Sequence, residues 1–471
     1  MQPLSHPMFT GAGRLTRREL LRGAAAASAA AVAAPWIVPA SSRGADGAVP
    51  PSKRITVALI GRGAMGSGHL RRLVSDPAVQ LLAVSDVDRE RRDEGKRVAD
   101  EAYADDRARG TYRGCDAVND FREVLSRPDL DAVVIVTPDH WHTPLSIAAA
   151  RAGKDIYCEK PITLKIEEGR RLVEAVRRYG RVFQTGTQYR SISTIREVCA
   201  FVRRGGLGKI KSVFTIWGKT SAAGQSSMVP FNPDLAAEPV PDGLDWDLWV
   251  GPAPWHAYNH AYHRNPMPGV VPWTFCEDFG VAAVTNYHSH AADVIQYALG
   301  VEESGPVEVL HPSGGAYPTL TCKYANGTLL HHVESWGEVK SLYHAVPDTA
   351  RLAGSFGGVF VGERGWLTSM YGGGPVEGAP EEIFKEMNLP VRDPHMGSNN
   401  HHANWFECIR SRRQPSCSEE LGHRSAALGH LVIIGYRCGR SLKWDPAKEE
   451  FIGDDEANRM RGRALREPWT L

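Results

Sequence analysis

No Cys-x-x-Cys pair occurs among the eight cysteines, at positions 115, 158, 199, 276, 322, 408, 417 and 438. Their scatter excludes a cluster of paired zinc-binding cysteines and a dense disulfide framework, and leaves buried thiols as the expected role. A charge excess of one sign is also missing, with 55 Lys and Arg against 54 Asp and Glu. Such a balance gives no global field to hold the chain on nucleic acid or an anionic membrane, so small neutral partners are expected. The alanine-rich run between Arg22 and Pro35 is far short of the ~20 residues that span a bilayer. Internal repeats are absent, as is low-complexity sequence after residue 53. At 471 residues the chain exceeds one ordinary core, which predicts two domains.

What is present begins with the N-terminus. Thr16-Arg17-Arg18-Glu19-Leu20-Leu21-Arg22 precedes the run Gly23 to Ala34, and Val38-Pro39-Ala40 offers a cleavage site. Residues 1–40 resemble a twin-arginine signal, which implies a periplasmic or otherwise exported protein with no membrane segment in its mature form. Residues 41–52, rich in Ser, Gly and Pro, read as a linker.

Strand and helix patterns then alternate. Strands are expected at Ile55–Ile60, Val79–Val84, Ala132–Val136 and Asp155–Cys158, and helices at Ala64–Ser75, Val87–Ala104, Thr143–Ala152 and Ile166–Tyr179. The strands are continuous apolar runs without period-2 alternation, as in a parallel sheet covered on both faces. The fold class is therefore α/β, with an N-terminal Rossmann domain at 53–183. Residues 184–471 read as a second, α+β domain with a largely antiparallel sheet. Its strand-like runs are Lys209–Trp217 and Leu320–Glu334, the latter turning at Asn326-Gly327. Helices are expected over Trp405–Ser411 and Arg424–Cys438. Residues 218–275 read as long loops.

Ile60 leads into Gly61-Arg62-Gly63-Ala64-Met65-Gly66, a dinucleotide fingerprint. Gly61 permits the tight turn, Gly63 the approach of a pyrophosphate, and Gly66 close helix–strand packing. Ala64 and Met65 open the helix whose N-terminus receives phosphate. Asp86, ending the second strand, suits a ribose 2′-hydroxyl and favours NAD; Arg89 nearby leaves NADP open.

Thr137-Pro138-Asp139-His140-Trp141-His142 and Glu159-Lys160-Pro161, each after a strand, resemble the glucose–fructose oxidoreductase and inositol dehydrogenase (Gfo/Idh/MocA) family over nearly everything after residue 53. A lysine at such a strand end can hold a substrate hydroxyl, stabilise an alkoxide or pass a proton. The resemblance implies a catalytic Lys160, cofactor contacts from Thr137, Pro138, His142, Glu159 and Lys160, a cis Pro161 and a homo-oligomer formed through the open sheet face. For Gln184–Arg190 two readings stand: a plain crossover strand, or the family's junction loop with Gln188 near the cofactor and Tyr189 and Arg190 near the substrate.

Thr285–Gly300 resembles the family's helix facing the nicotinamide. Asn286, His290 and Asp293 follow helical spacing and are expected on one face. The family's aspartate four positions before the catalytic histidine is here Asn286, and a neutral amide is expected to leave the His290 pKa near ~6.5. An Asp–His pair then requires Asp278 or Asp293. Tyr287, His288 and Asp293 are substrate-contact candidates.

His256, His260 and His263 could share one helical face, but their Pro- and Trp-rich setting argues for a polar cleft and no metal is expected. Trp246, Trp249, Trp255, Tyr258 and Tyr262 suggest a sugar-stacking surface or core packing. The expected function is NAD(P)-dependent oxidation or reduction of a sugar, cyclitol or glycoside ring hydroxyl, with tightly retained cofactor. His290 is the base, assisted by Asn286, and Lys160 stabilises the oxyanion. Two alternatives are redox-neutral NAD-dependent glycoside cleavage, with His288 or Tyr287 as a second base, and a catalytically degenerate cofactor-bearing binding protein.

Overall fold

The computed structural model describes residues 54–471 apart from 217–228, 264–272, 287, 372–375 and 388–398. The expected signal, the linker and Tyr287 lie outside the described residues.

Six parallel strands, β1 (Ile55–Ile60), β2 (Val79–Ser85), β3 (Asp116–Val118), β4 (Ala132–Ile135), β5 (Asp155–Cys158) and β6 (Phe183–Thr185), form a sheet in the order β3-β2-β1-β4-β5-β6. Alternate side chains feed opposite faces. Val57 and Leu59 pack with Leu70, Leu73 and Trp405, while Ala58 and Ile60 pack with Leu145 and Leu172. Burial on both faces is why the strands read as continuous apolar runs. Trp405 belongs to the helix Asn399–Ser411, which returns from the far end of the chain to cover this sheet.

Two helix starts differ from expectation for local reasons. The first helix after β2 spans Arg89–Ala102 because the Asp88 carboxylate caps it, accepting from Glu90 N and Arg91 N. The helix after β4 spans Asp139–Arg151, four residues earlier than expected, with Pro144 inside it. Proline has no N–H for the His140 carbonyl. Arg463 Nη2 donates to that oxygen at 3.1 Å and supplies the missing partner.

The second sheet has nine strands in the order β13-β12-β11-β7-β10-β9-β8-β14-β15. These are β7 (Ile210–Ile216), β8 (Glu308–Leu310), β9 (Thr321–Lys323), β10 (Leu329–Val333), β11 (Ser355–Gly362), β12 (Trp366–Tyr371), β13 (Gly378–Ala379), β14 (Leu442–Asp445) and β15 (Glu450–Phe451). Its ladders are antiparallel except β7–β10. The run Leu320–Glu334 resolves into β9 and β10 around Gly327, whose φ of 87° suits the tight turn. One face packs on helices Ser193–Arg203, Ser289–Leu299 and Glu419–Cys438. On the other, Phe214, Val333 and Val359 are covered by the chain's own Val339, Val346 and Leu352.

The aromatic group between residues 246 and 262 is mostly core. Asp245 caps the short helix Trp246–Val250, the two indoles stack at 4.6 Å, and Tyr258 meets Trp246 edge-on. Trp246, Trp249, Tyr258 and Tyr262 are buried, whereas Trp255 is 57% exposed beneath the Arg466 guanidinium. Of the two readings, core packing describes Trp246, Tyr258 and Tyr262, because a capped turn folds the rings onto one another.

Candidate functional site

The carboxyl ends of β1 and β4 diverge at the point where strand order reverses, and a cleft opens there. Gly61, Asp86, Thr137, Asp139, Lys160 and Asn286 are among the residues lining it. Gly61 has φ of 91°, and a Cβ on it would meet the Val136 carbonyl at 2.5 Å. A Cβ on Gly66 would lie 2.1 Å from the Gly61 carbonyl oxygen, so this glycine lets the helix Ala64–Ser75 press against the turn. At Gly63 the nearest atom to an added Cβ is 3.9 Å away. Gly63 is the N-cap of that helix and offers no side-chain cap, so the first N–H groups, at Ala64 and Met65, border open cleft. This glycine cradle fits a dinucleotide pyrophosphate.

Asp86 Oδ2 accepts from Arg62 N at 2.7 Å and Oδ1 from Asp88 N at 3.0 Å. Burial raises its pKa against the Arg91 charge and these two bonds. Its carboxylate therefore ties the glycine turn to the end of β2, where a ribose hydroxyl would be received.

The Glu-Lys-Pro turn is braced from both sides. The Lys160–Pro161 peptide is cis. The His142 ring lies 2.6 Å from the Pro161 carbonyl and 2.8 Å from that of Thr137, joining the turn to the end of β4 next to Pro138, the N-cap of the following helix. Glu159 is buried and meets His69 Nε2 at 3.0 Å and Gln188 Nε2 at 2.9 Å. Burial pushes its pKa up, but the His69 hydrogen bond and the Lys160 charge prevail and hold it at about 2. Gln188 thus braces Glu159 from behind.

Lys160 Nζ donates to the Asn286 main-chain oxygen at 2.9 Å and to Asn286 Oδ1 at 3.1 Å. Burial lowers its pKa, opposed by Glu159 and Asp139. Asn286 Nδ2 donates onward to the Asp139 carboxylate, at 3.3 and 3.2 Å. Asp139 is 2% exposed, and burial pushes its pKa up to about 7 against the pull of Lys160 and Asn286.

The expectation that Asn286, His290 and Asp293 share one face is corrected. Ala282–Asn286 and Ser289–Leu299 are separate helices, the second capped at His288. Asn286 turns to Lys160 and Asp139. His290 stacks on Tyr189 at 4.0 Å. Asp293 forms a bidentate pair with Arg190, at 2.6 and 2.8 Å, almost fully buried. Arg190 Nη1 donates further to Glu302 Oε1 at 3.2 Å and to the Ser416 carbonyl at 3.0 Å, so the pair is part of a larger buried network. The His290 pKa is about 3, not near its ordinary value, because burial and the Lys160 charge both oppose protonation. His288 is buried against Thr215 Oγ1 and the His332 ring. Asp278, the other carboxylate considered for His290, pairs with His256 at 2.8 Å.

His260 pairs with Glu238 at 2.8 Å and His263 with Asp88 at 3.0 Å, so the three spaced histidines go to three separate carboxylates. Among the described residues no group of His, Cys, Asp or Glu is arranged to hold a metal. His263 does line the cleft, with Trp249 and Trp273. Asp139 and His69 are the site residues that sequence reasoning missed. Asp139 stands inside a recognised motif, but nothing linear pairs it with Asn286, 147 positions away.

Residues 55–187 match the model of an oxidoreductase family with an NAD-binding Rossmann fold, and residues 194–330 and 380–471 match that family's C-terminal alpha/beta domain. Similar curated proteins include inositol 2-dehydrogenase 4 of Saccharopolyspora erythraea, 33% identical over 160 residues, which are 34% of this chain and 44% of that protein. Another is scyllo-inositol 2-dehydrogenase (NAD(+)) of Bacillus subtilis, 32% identical over 157 residues, 33% of this chain and 42% of that protein. The matches thus span less than half of these relatives' length. Among solved structures, WlbA dehydrogenase from Bordetella pertussis in complex with NADH and UDP-GlcNAcA superposes with a TM-score of 0.52 at 17% identity, covering 83% of this chain and 99% of that one. Levoglucosan dehydrogenase in complex with NADH and levoglucosan gives a TM-score of 0.52 at 18% identity, with the same coverage. These two likenesses establish a shared fold.

Proposed function

The chain belongs to the Gfo/Idh/MocA oxidoreductase family, and on that premise we propose that it oxidises or reduces a ring hydroxyl carbon of a sugar, cyclitol or glycoside. The observation that carries this reading is the Lys160 ammonium at the cleft wall, with two N–H groups directed to Asn286 and a third left for a substrate oxygen. The inositol 2-dehydrogenases among its relatives support a polyol substrate.

When bound, a nicotinamide dinucleotide supplies the hydride acceptor or donor. Gly61, Gly63 and the first N–H groups of the helix Ala64–Ser75 would hold its pyrophosphate, and Asp86 its adenosine ribose. Lys160 orients the substrate hydroxyl and stabilises negative charge as it develops on that oxygen. His290, neutral at physiological pH, takes the hydroxyl proton. A hydroxyl losing hydride becomes a strong acid, so a weakly basic imidazole suffices in that direction.

The test is oxidation of a panel of inositols, aldoses and glycosides by purified protein, read as NADH formation. Lys160→Ala is expected to lower kcat by roughly 10²–10⁴-fold while NADH still binds. Turnover unchanged in that variant would sink the catalytic assignment, and complete inertness of the wild type would favour a degenerate binding protein.

Export through the twin-arginine route, with the cofactor loaded beforehand, is part of the same proposal and is supported by Arg17-Arg18 before the alanine-rich run. Arg17→Lys with Arg18→Lys is expected to leave the protein in the cytoplasmic fraction. Equal export of this variant would refute the route.

A further inference from the structure

We propose that Asp139 is a positioning residue which acts through Asn286 to hold Lys160 in its working orientation, supplying from another helix the carboxylate that position 286 lacks. The inference rests on the proposed oxidoreductase reading.

An isolated asparagine beside a lysine can present either its oxygen or its amide nitrogen, and the second orientation would place N–H groups against an ammonium. Here the choice is fixed. Both Asp139 oxygens accept from Asn286 Nδ2, so Oδ1 faces Lys160 Nζ at 3.1 Å. The Asn286 main-chain oxygen takes a second ammonium N–H at 2.9 Å. A carboxylate, an amide and an ammonium thus form one chain, with the negative charge at one end balancing the positive charge at the other. Asp139 opens the helix Asp139–Arg151, whose N-terminal dipole favours a negative charge. Buried polar networks of this kind gain specificity when every member is satisfied.

The groups facing this chain come from every element around it. Glu159 adjoins Lys160, His140 and His142 lie on the helix of Asp139, and His290 lies across from Lys160. Arg463 bonds the His140 carbonyl, and the Val281 backbone contributes a hydrogen bond to Asp139. Burial lowers all three histidines, His140 and His290 to about 3. Glu159 is held at about 2 and Asp139 at about 7. Within this set, Asp139 is the carboxyl that changes charge close to neutrality.

The test compares wild type, Asp139→Asn, and the exchange Asp139→Asn with Asn286→Asp, each as holoenzyme, for turnover of the best polyol found in the panel. In wild type, the acid limb of kcat is expected near pH 7. In Asp139→Asn, kcat is expected to fall roughly 10–100-fold, the limb to vanish, and NADH affinity to stay within about threefold. The exchange variant, which places a carboxylate directly on Lys160, is expected to recover at least about half of the lost factor on a logarithmic scale. His290→Ala is expected to lower the rate but keep the limb.

Infrared difference titration of the holoenzyme gives a second readout, independent of turnover. A protonated-carboxyl band is expected to titrate near neutrality in wild type and to be absent in Asp139→Asn. An unchanged rate and limb in Asp139→Asn, or the same band in both proteins, overturns the proposal. If no polyol is oxidised by wild type, the oxidoreductase reading fails, while a protonated-carboxyl band identical in wild type and Asp139→Asn still overturns the assignment of the titrating carboxyl to Asp139.

Discussion

At Gly63 and Gly66 the same added methyl group has different physical consequences. On Gly66 it would lie 2.1 Å from a backbone oxygen that cannot move without shifting β1 or the helix Ala64–Ser75. Gly66→Ala is therefore expected to cost about 1–3 kcal/mol and to weaken NADH binding as well. On Gly63 the nearest atom is 3.9 Å away, so Gly63→Ala is expected to leave thermal stability nearly unchanged. Its methyl group would instead stand where a pyrophosphate approaches, lowering NADH affinity by roughly tenfold or more. Thermal unfolding and NADH fluorescence titration of both variants separate the two effects. Equal loss of stability in the two variants would contradict this account of the turn. These glycines were legible from their spacing, since close approach is a property of backbone without Cβ. Asp139 was not, because its importance lies in a contact with Asn286 that only folding creates.

Between elements, helix Ile166–Arg178 is bridged to helix Glu419–Cys438 by an ion network whose carboxylates are buried. Arg170 holds Glu420 through two parallel bonds of 2.8 Å and Glu449 through two more, of 3.1 and 2.8 Å, while Arg177 reaches Glu420 at 3.0 Å. Burial pushes the Glu420 pKa up, but the Arg170 hydrogen bonds and charge prevail and set it at about 2, below its ordinary 4.5. A depressed folded-state pKa contributes stability that is fully present above the unfolded value and is lost as pH falls through the folded one. Melting temperatures are therefore expected to drop between about pH 4.5 and pH 2. In Arg170→Ala, stability at pH 7 should fall by roughly 3 kcal/mol, with a shallower acid dependence. A variant as stable and as acid-sensitive as wild type would show that the network contributes nothing. The helices themselves were legible in the sequence. Which charged residues would meet between them was not, nor was the start of the helix Asp139–Arg151. Its Pro144 reads as a helix boundary until Arg463 is seen to satisfy the freed carbonyl.

For the whole molecule, the segment between residues 241 and 263 binds the second half of the chain to the rim of the cleft. Arg89 N donates to the Gly243 carbonyl, Asp245 N to that of Val87, and Asn119 Nδ2 to Asp245 Oδ2 at 2.9 Å. His263 pairs with Asp88, and Arg91 Nη2 donates to the His263 carbonyl at 2.9 Å. A segment fastened this way is expected to slow departure of a dinucleotide from the adenosine side, as the proposed retention of cofactor requires. Native mass spectrometry of full-length protein purified without added cofactor is expected to show bound dinucleotide. Asp245→Ala removes both the Asn119 bond and the cap on Leu248 N. Its release rate is expected to rise by roughly tenfold, about 1.4 kcal/mol. Rapid exchange in wild type would end the retention argument. The same measurement gives the oligomeric state, for which the outer sheet face is already partly covered by the chain's own residues.

The sequence by itself determined the alternating strands and helices, the parallel sheet, the glycine turn, Asp86 at the end of β2 and the position of Lys160. Each of these follows from local periodicity, backbone freedom or a short motif, and each is decided within a few residues of itself. Tertiary structure decided the rest. It turned Asn286 to Lys160, buried Arg190 against Asp293, and turned the aromatic cluster inward. It moved His290 from its ordinary pKa to about 3 and brought Asp139 to Asn286. The physical reason is that desolvation and charge pairing depend on what surrounds a group in three dimensions, and those neighbours come from segments far apart in the chain.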